Sequence, residues 1–200
     1  MNSLGHKQFF VLGHDRGARV SHRLAMDFPQ SVLKLMLLDI SPTLTMYEKT
    51  TMAFAKGYWH WFFLIQPEPV PETMIGANPE YWLKNHMGRH AGTGIFSPDR
   101  WSEYLSGASN PQSMHAMCED YRAGASIEMQ HDREDNGKMV ACPLMTLWAS
   151  YAPMGRIYDV LATWKERASN VTGKQIPGGH NLPDTSPKEV IAELRAFFKA

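Results

Sequence analysis

Two different hydrophobic periods mark the first forty residues. Residues 8–13 form a short apolar run that ends in glycine, and apolar residues then recur at every fourth position from Val20 to Phe28. The pattern predicts a strand, a sharp turn and a helix. Pro29 ends the helix, and residues 32–40 form a Leu-rich run without alternation, which is typical of a buried parallel strand. Two such strands joined by a crossover helix make a βαβ unit.

The character of the chain changes from Ser41 to about Glu134, where aromatic residues and histidines are frequent and a Pro-rich stretch at 66–71 interrupts the pattern. The segment is predicted to be a helical insertion, with helix-like patterns at 45–65, 79–90, 98–106 and 110–124. Beyond it, strand patterns return at 139–148 and 171–176, and helical patterns occur at 155–168 and 187–198.

This order of elements predicts an α/β fold, in which a partial parallel sheet carries an inserted helical cap. The predicted division is a first part of the core at 1–42, a cap at 43–135 and a second part of the core at 136–200. With 200 residues and 44% hydrophobic content, the chain can bury one sizeable core.

The charge balance and the cysteines indicate which binding partners and which cellular compartment to expect. The chain has 20 Lys and Arg residues and 20 Asp and Glu residues, so no global field favours nucleic acid or an anionic membrane surface, and any recognition of charge must be local. The start has no signal-peptide pattern and no apolar run has membrane-spanning length, which predicts a cytoplasmic protein. Cys118 and Cys142 lack neighbours at metal spacing and are predicted to be buried free thiols.

The sharp turn contains Gly13-His14-Asp15-Arg16-Gly17. Gly-x-nucleophile-x-Gly between a strand and a helix is the pattern of a nucleophile elbow, which presents its central side chain above the sheet. Asp15 at the centre can displace a leaving group from an sp³ carbon and form an ester that water later cleaves. The alternative is an ordinary βα turn in which Asp15 only caps the helix.

His180 follows the last predicted strand, within Pro177-Gly178-Gly179-His180. A histidine there is a candidate base that activates the hydrolytic water, the alternative being a structural histidine. Such a base needs an acid to orient it. The loop at 149–155 contains no carboxylate, so Asp39, at the end of the strand after the elbow, is the remaining candidate; alternatively it is only a polar strand terminus.

Several separated motifs, in this order, closely resemble the fluoroacetate (haloacetate) dehalogenases of the α/β-hydrolase superfamily. The resemblance runs through essentially the whole chain and implies an α/β-hydrolase fold that needs no cofactor. The motifs are Gly13-His14-Asp15-Arg16-Gly17-Ala18-Arg19, Leu38-Asp39-Ile40, Tyr58-Trp59-His60-Trp61, Asp120-Tyr121-Arg122-Ala123-Gly124 and Pro177-Gly178-Gly179-His180.

The resemblance implies that Asp15 attacks the carbon that bears the halogen, while Arg16 and Arg19 bind the carboxylate of the substrate. The spacing agrees with this role, because residues 16 and 19 lie about one turn apart at a helix N-terminus, where the dipole and the guanidinium groups favour an anion. Either arginine could instead be a solvated or salt-bridged surface residue.

By the same resemblance, His60, Trp61 and Tyr121 surround the departing halide. Fluoride is a poor leaving group, so N–H and O–H donors that meet its developing charge lower the barrier where it is highest. The alternative for these residues is aromatic packing within the insertion.

No metal or cofactor is expected from the motifs. The sequence contains no phosphate loop and no dinucleotide fingerprint. His86 and His90 share i, i+4 spacing and could bind a metal, but no third ligand is evident.

The family's fold also implies strands before the elbow strand, one of which is followed by a loop that supplies an oxyanion-hole N–H. We therefore expect the chain to lack roughly the first third of a dehalogenase and to expose residues 9–12 as an apolar sheet edge. Three hypotheses remain: a haloacetate dehalogenase with an incomplete reading frame, an epoxide or ester hydrolase, and a fragment that folds poorly or only binds partners through its edge. The resemblance also makes a homodimer plausible.

The carboxylate-binding role predicts the effect of Arg16→Leu. Turnover of haloacetates should fall much more than folding is disturbed, since a surface arginine usually contributes little to stability. Halide release and circular dichroism measure the two effects. Unfolding of the variant would make Arg16 structural and remove the main support for an acidic substrate.

Overall fold

The computed structural model describes residues 1–87 and 95–199. These residues divide into two compact units, one made of residues 1–48 and 134–200 and the other of residues 49–133. Every described strand lies in the first unit. In chain order the elements are β1 (Phe9–His14), α1 (Arg16–Asp27), β2 (Val32–Leu38), α2 (Thr43–Glu48), α3 (Met52–Gly57), α4 (Trp59–Leu64), α5 (Val70–Ala77), α6 (Pro79–His86), α7 (Pro98–Ser109), α8 (Pro111–Ala123), α9 (Met129–Glu134), β3 (Leu144–Ala149), α10 (Met154–Ile157), α11 (Val160–Lys165), β4 (Val171–Ile176), α12 (Leu182–Thr185) and α13 (Pro187–Lys199).

Within the described residues, four strands form one parallel sheet in the order β1-β2-β3-β4. The side chains of Leu35 to Leu38 in β2 have no exposed surface, as expected for a strand covered on both faces. In the register, His14 pairs with Leu38, and Leu38 pairs with Leu147. The residues that follow β1 and β2 therefore leave the sheet side by side, at its carboxyl edge.

The core of the first unit joins the later strands to the C-terminal helix. Leu194, Phe197 and Phe198 of α13 pack against it, in agreement with the predicted helix at 187–198. One cluster of this core has the buried members Met36, Leu38, Leu147, Ala149, Ala152, Ile176, Leu182 and Val190.

Strand β1 lies at one edge of the described sheet. Phe10 is 45% exposed and Leu12 is 36% exposed, so this edge has the apolar character predicted for it. The Phe10 ring stacks on Phe198 of α13, with ring centroids 4.9 Å apart.

Helix α1 packs on the sheet through small residues instead of its large apolar ones. Ala18, Ser21 and Ala25 are buried, whereas Val20 and Phe28, whose spacing predicts the helix, are 61% and 58% exposed. Small side chains let a helix approach a neighbouring backbone closely. The spacing therefore identifies the helix but not the face that it buries.

The first predicted helix of the insertion is interrupted in the structure. The predicted segment at 45–65 is divided into α2, α3 and α4, because Thr51 caps α3 through the Phe54 N–H at 3.2 Å and Tyr58 leaves helical geometry with φ −122°. Helix α5 is an addition that begins within the Pro-rich stretch. Pro71 is accommodated there because it lies in the first helical turn.

Two elements of the first unit also differ from the patterns. The predicted helix at 155–168 is divided into α10 and α11, since Tyr158 is extended and Asp159 caps α11 through the Ala162 N–H at 3.0 Å. The predicted strand at 139–148 starts at Leu144, after Pro143, which has no N–H to donate to a neighbouring strand.

Arg122 of α8 joins three elements of the second unit. Its guanidinium donates to both carboxylate oxygens of Glu72 in α5, at 2.8 and 3.2 Å, and to Glu119 at 2.7 Å. It also donates to the carbonyl of Gln66, just after α4, at 3.0 and 2.8 Å. Bidentate contacts of this kind fix orientation as well as distance. Arg122 thus holds the helix of Tyr121 against the end of the helix that carries His60.

Cys118 and Cys142 are buried and form no disulfide, as predicted. Over the described residues, the helices are too short or too polar to cross a bilayer.

Gly13 lies where β1 and α1 approach each other most closely. A Cβ atom at this position would lie 2.5 Å from Ala18 Cα and 2.7 Å from the Gly17 carbonyl oxygen. Because both are backbone atoms, they cannot move aside as a side chain would. A Cβ at Gly17 would meet nothing within 4 Å, so the two glycines of the elbow motif are not equivalent.

Gly13→Ala should therefore lower the free energy of unfolding by about 1–3 kcal/mol, the usual cost of overpacking. Gly17→Ala is the matched control and should leave stability unchanged or slightly higher, since alanine is the better helix former. Urea denaturation of both variants measures the difference. Equal stability of the two would show that the close approach at Gly13 is relieved without cost.

Candidate active site

Asp15 forms the turn between β1 and α1 with φ 50° and ψ −122°, a backbone conformation that L-residues rarely adopt. Its carbonyl accepts from the N–H groups of Ala18 and Arg19, at 3.0 and 3.3 Å. Its carboxylate makes no capping hydrogen bond to α1, so the helix-cap alternative is wrong. The side chain is about one third exposed, and Oδ1 lies 3.7 Å from Nε2 of His180.

The loop after β4 holds His180 through several backbone contacts. The Tyr151 N–H donates to the carbonyl of Gly178 at 2.9 Å, and the Gly179 N–H donates to Thr185 Oγ1 at 3.2 Å. Ser186 Oγ donates to the carbonyl of Pro177. Gly178 has φ 134°, where a side chain would be strained and would collide with Ser186. The Gly-Gly pair before His180 thus allows a tightly closed loop.

Asp39 follows β2 and has no exposed side-chain surface. Its Oδ2 lies 2.6 Å from Nδ1 of His180, and its Oδ1 accepts from the N–H of Ala149 at 2.8 Å. Both oxygens are therefore satisfied, as a buried carboxylate requires. Asp39 also has φ 52°, the second left-handed residue at this end of the sheet after Asp15. The structure thus brings Asp15, His180 and Asp39 into one line.

The two carboxylates determine the charge of the histidine between them. Burial lowers the pKa of His180, but its contacts with Asp15 and Asp39 outweigh burial and raise that pKa to about 10. Burial would raise the pKa of Asp15, but the nearby His180 ring outweighs it and holds that pKa well below the usual range. At neutral pH the site therefore contains an imidazolium between two carboxylates.

His14 is a site residue that the sequence reasoning did not single out. Its Nε2 lies 2.8 Å from the carbonyl oxygen of His180, and the two ring centroids are 5.0 Å apart. Burial and the positive charge of His180 lower the pKa of His14. The feature of the sequence that could have identified His14 is its position directly before Asp15, as the last residue of β1.

The two predicted carboxylate-binding arginines lie in different environments. Arg16 is the first residue of α1 and is partly exposed. Arg19 is 5% exposed, and its guanidinium donates to the Ser41 carbonyl at 3.0 Å, to Thr43 Oγ1 at 2.8 Å and to Met46 Sδ at 3.3 Å. A substrate carboxylate would have to share Arg19 with these groups. Its positive charge also helps to lower the pKa of Asp15.

His60, Trp61 and Tyr121 lie together in the second unit. The Tyr121 ring is 5.9 Å from His60 and 6.1 Å from Trp61, both in edge-on geometry. His86 joins this group, 4.6 Å from His60 and stacked on Trp82. The helices that bear these residues are α4, α6 and α8, so three separate segments form one aromatic cluster.

No set of three or more His, Cys, Asp or Glu residues suited to a metal occurs in the described part of the chain. His90, the partner considered for His86, lies outside the described residues.

Residues 1–187 match the family defined by the alpha/beta hydrolase fold. The chain belongs to this family. A fluoroacetate dehalogenase from Burkholderia sp is 39% identical over 98% of the chain and 66% of its own length. A soluble epoxide hydrolase from Corynebacterium sp. (strain C12) is 25% identical over 99% of the chain and 69% of its own length.

A solved structure of a candidate alpha/beta hydrolase from Nostoc sp PCC 7120 superposes with a TM-score of 0.94 at 49% identity, covering 99% of this chain and 68% of that one. The α/β-hydrolase chain thus spans about two thirds of the length of these relatives. The match confirms the predicted fold, and Asp15, His180 and Asp39 lie within the matched residues.

Asp15→Asn should lower the pKa of His180 from its raised value, because the amide removes one of two negative charges beside the ring. Nuclear magnetic resonance titration of ¹⁵N-labelled histidines measures the change, and the exposed Glu189→Gln is the control for loss of a carboxylate elsewhere. An unchanged His180 pKa in Asp15→Asn would mean that Asp39 alone sets the charge of the ring.

Proposed function

We propose that the chain carries the catalytic centre of a hydrolytic dehalogenase, which converts a haloacetate such as fluoroacetate into glycolate and halide. The observation that carries the proposal is the line of Asp15, His180 and Asp39, with an arginine directly after the nucleophile. Oδ1 of Asp15 lies 3.7 Å from Nε2 of His180, and Oδ2 of Asp39 lies 2.6 Å from its Nδ1. A 39% identical relative named fluoroacetate dehalogenase supports the same reaction.

In the first step a carboxylate oxygen of Asp15 attacks the carbon that bears the halogen. The new carbon–oxygen bond replaces the carbon–halogen bond, and the halide leaves with the bonding electron pair. The low pKa of Asp15 keeps the nucleophile ionised. Its place at the end of β1, in a fixed turn, restricts the directions from which a substrate can approach.

In the second step water attacks the ester carbonyl of Asp15, and His180 accepts the proton of that water. The ester bond breaks at the acyl carbon, so glycolate keeps the oxygen that came from Asp15. Esterification removes the charge that contributes to the raised pKa of His180, and the ring can then lose its proton and act as a base. Asp39 keeps the ring oriented through Nδ1.

The proposal that the substrate carries a carboxylate rests on Arg16. It begins α1, where the helix N-terminus and a guanidinium both favour an anion, and it is partly exposed. Arg19 assists mainly as a fixed positive charge, since its guanidinium already binds Ser41 and Thr43. The chemistry needs no metal or cofactor.

His60, Trp61 and Tyr121 are proposed as the donors for the departing halide. This role rests on the resemblance to the dehalogenases and on the grouping of the three rings within the second unit. Fluoride has the greatest need of such donors because its charge is the most concentrated.

Epoxide hydrolysis is the second candidate, because a relative named soluble epoxide hydrolase is 25% identical over almost the whole chain. An aspartate nucleophile and a histidine base can open an epoxide through the same ester. An epoxide carries no charge that would draw on the positive charge of Arg16 at the start of α1, so the haloacetate is preferred.

A single-turnover experiment in H₂¹⁸O tests the proposal with fluoroacetate, chloroacetate and styrene oxide. With enzyme in excess, halide should be released from a haloacetate, the first glycolate should carry ordinary oxygen, and mass spectrometry should find the label in the peptide that contains Asp15. Asp15→Asn should release no halide, and Glu189→Gln, which changes an exposed carboxylate, should behave as the unmodified chain.

Two results would contradict the proposal. Label in the first glycolate would show direct attack by water, without an ester. Opening of styrene oxide together with no halide from either haloacetate would favour the epoxide hydrolase.

A further inference from the structure

We propose that His14 is a positioning residue, which ties the backbone of the base His180 to the strand that carries the nucleophile. The inference rests on the proposed function. The observation behind it is the hydrogen bond from the His14 ring to the His180 carbonyl oxygen, at 2.8 Å.

The connection is short because His14 and Asp15 are consecutive. Strand β1 ends at His14, and Asp15 begins the turn, so one backbone segment holds the nucleophile directly and the base through the His14 ring. The other backbone contacts of the His180 loop come from Tyr151, from Thr185 and Ser186, and from the Leu182 N–H, which donates to the same His180 carbonyl at 2.8 Å. Those contacts close the loop, whereas the His14 contact relates it to the elbow.

The hydrogen bond also fixes the chemical state of His14. A carbonyl oxygen only accepts, so Nε2 must carry the proton. Burial and the charge of His180 both disfavour a second proton on His14, so the ring stays a neutral donor beside a cationic one. A protonated His14 would instead repel His180 across the 5.0 Å between the ring centroids.

The His14 contact should matter for the second chemical step, in which the ester is hydrolysed. Asp39 fixes the orientation of the His180 ring through Nδ1 but does not fix its distance from Asp15, which is 3.7 Å from Nε2. A hydrolytic water must lie between Nε2 and the ester carbonyl, so this distance determines whether the base reaches it. Ester formation needs only Asp15 and the substrate, and it should tolerate a displaced base.

The experiment compares His14→Leu, which has no donor, with His14→Gln, whose amide nitrogen reaches about as far as Nε2. His14→Leu should slow ester hydrolysis by roughly 10- to 100-fold, the cost of about 1 Å of misplacement. Rapid mixing with chloroacetate should then show a burst of about one chloride per chain, followed by slow turnover. His14→Gln should restore turnover to within about threefold of the unmodified chain. His14→Asn, too short to reach the carbonyl, should behave as His14→Leu.

Thr185→Val is the matched control. It removes the two hydrogen bonds of Thr185 Oγ1 with the N–H and the carbonyl of Gly179, next to His180, but leaves the His14 contact at the His180 carbonyl. A general loosening of the loop would produce the same burst in this variant, and the proposal would be overturned. A burst in His14→Leu and His14→Asn alone would support it.

A second measurement needs no substrate and separates this inference from the proposed function. The His180 Nδ1 proton shared with Asp39 should give a downfield proton resonance, because the contact is only 2.6 Å long. His14→Leu should broaden it by faster exchange with water, and His14→Gln should restore it. An identical resonance and an identical His180 pKa in all three chains would overturn the positioning role, even if haloacetates are the substrates. If the His14 variants show these changes but the unmodified chain does not hydrolyse haloacetates, only the proposed substrate would be overturned.

Discussion

The contact between the Asp39 carboxylate and the His180 ring is the interaction on which the rest of the site depends. The two residues are 141 positions apart, and Asp39 has no exposed surface. A buried carboxylate is costly unless its oxygens are satisfied, and the second oxygen of Asp39 is satisfied by the backbone of Ala149, at the end of β3. The contact therefore requires β2 and β3 to pair in the correct register and β4 to deliver the loop of His180. The sheet therefore sets the relative positions of the candidate catalytic residues.

Charge is the second constraint. A cation held between two carboxylates suits the free site, because it keeps Asp15 ionised as a nucleophile. The same arrangement would prevent His180 from accepting a proton if both carboxylates stayed charged. In the proposed mechanism, formation of the ester at Asp15 would remove one of them, so the first chemical step would prepare the base for the second. The proposed order of the two steps is thus consistent with the electrostatics of the three side chains.

The sequence predicted the parts of this site that depend on local pattern. Gly13 before Asp15 and Gly178 before His180 reflect backbone constraints that are visible in a few consecutive residues. Asp39 was reached by elimination, because the loop at 149–155 contains no carboxylate. The helix breaks within 45–65 and 155–168 were missed, since they depend on single capping residues that hydrophobic periodicity does not register.

His14 and the packing of helix α1 show a different limit of sequence reasoning. The partner of His14 is a backbone carbonyl, and a carbonyl has no signature in the sequence, so its contact appears only once β1 and the loop after β4 lie side by side. The packing of α1 has the same origin, because Ala18 and Ala25 are buried for reasons of backbone distance, not hydrophobicity.

The two arginines after the nucleophile illustrate how one motif contains two physical roles. Arg19 is buried and binds the segment after β2 through Ser41, Thr43 and Met46, so moving its guanidinium toward a ligand would leave buried oxygen acceptors without their donor. Arg16 lies at the first position of α1 and is partly exposed, so it can change partners at lower cost. The residue that recognises an anion must exchange water for that anion in every cycle, whereas the residue that supplies a constant field must not move. On this ground Arg16 suits substrate recognition, and Arg19 suits the stabilisation of the ionised Asp15 and of the turn that holds it.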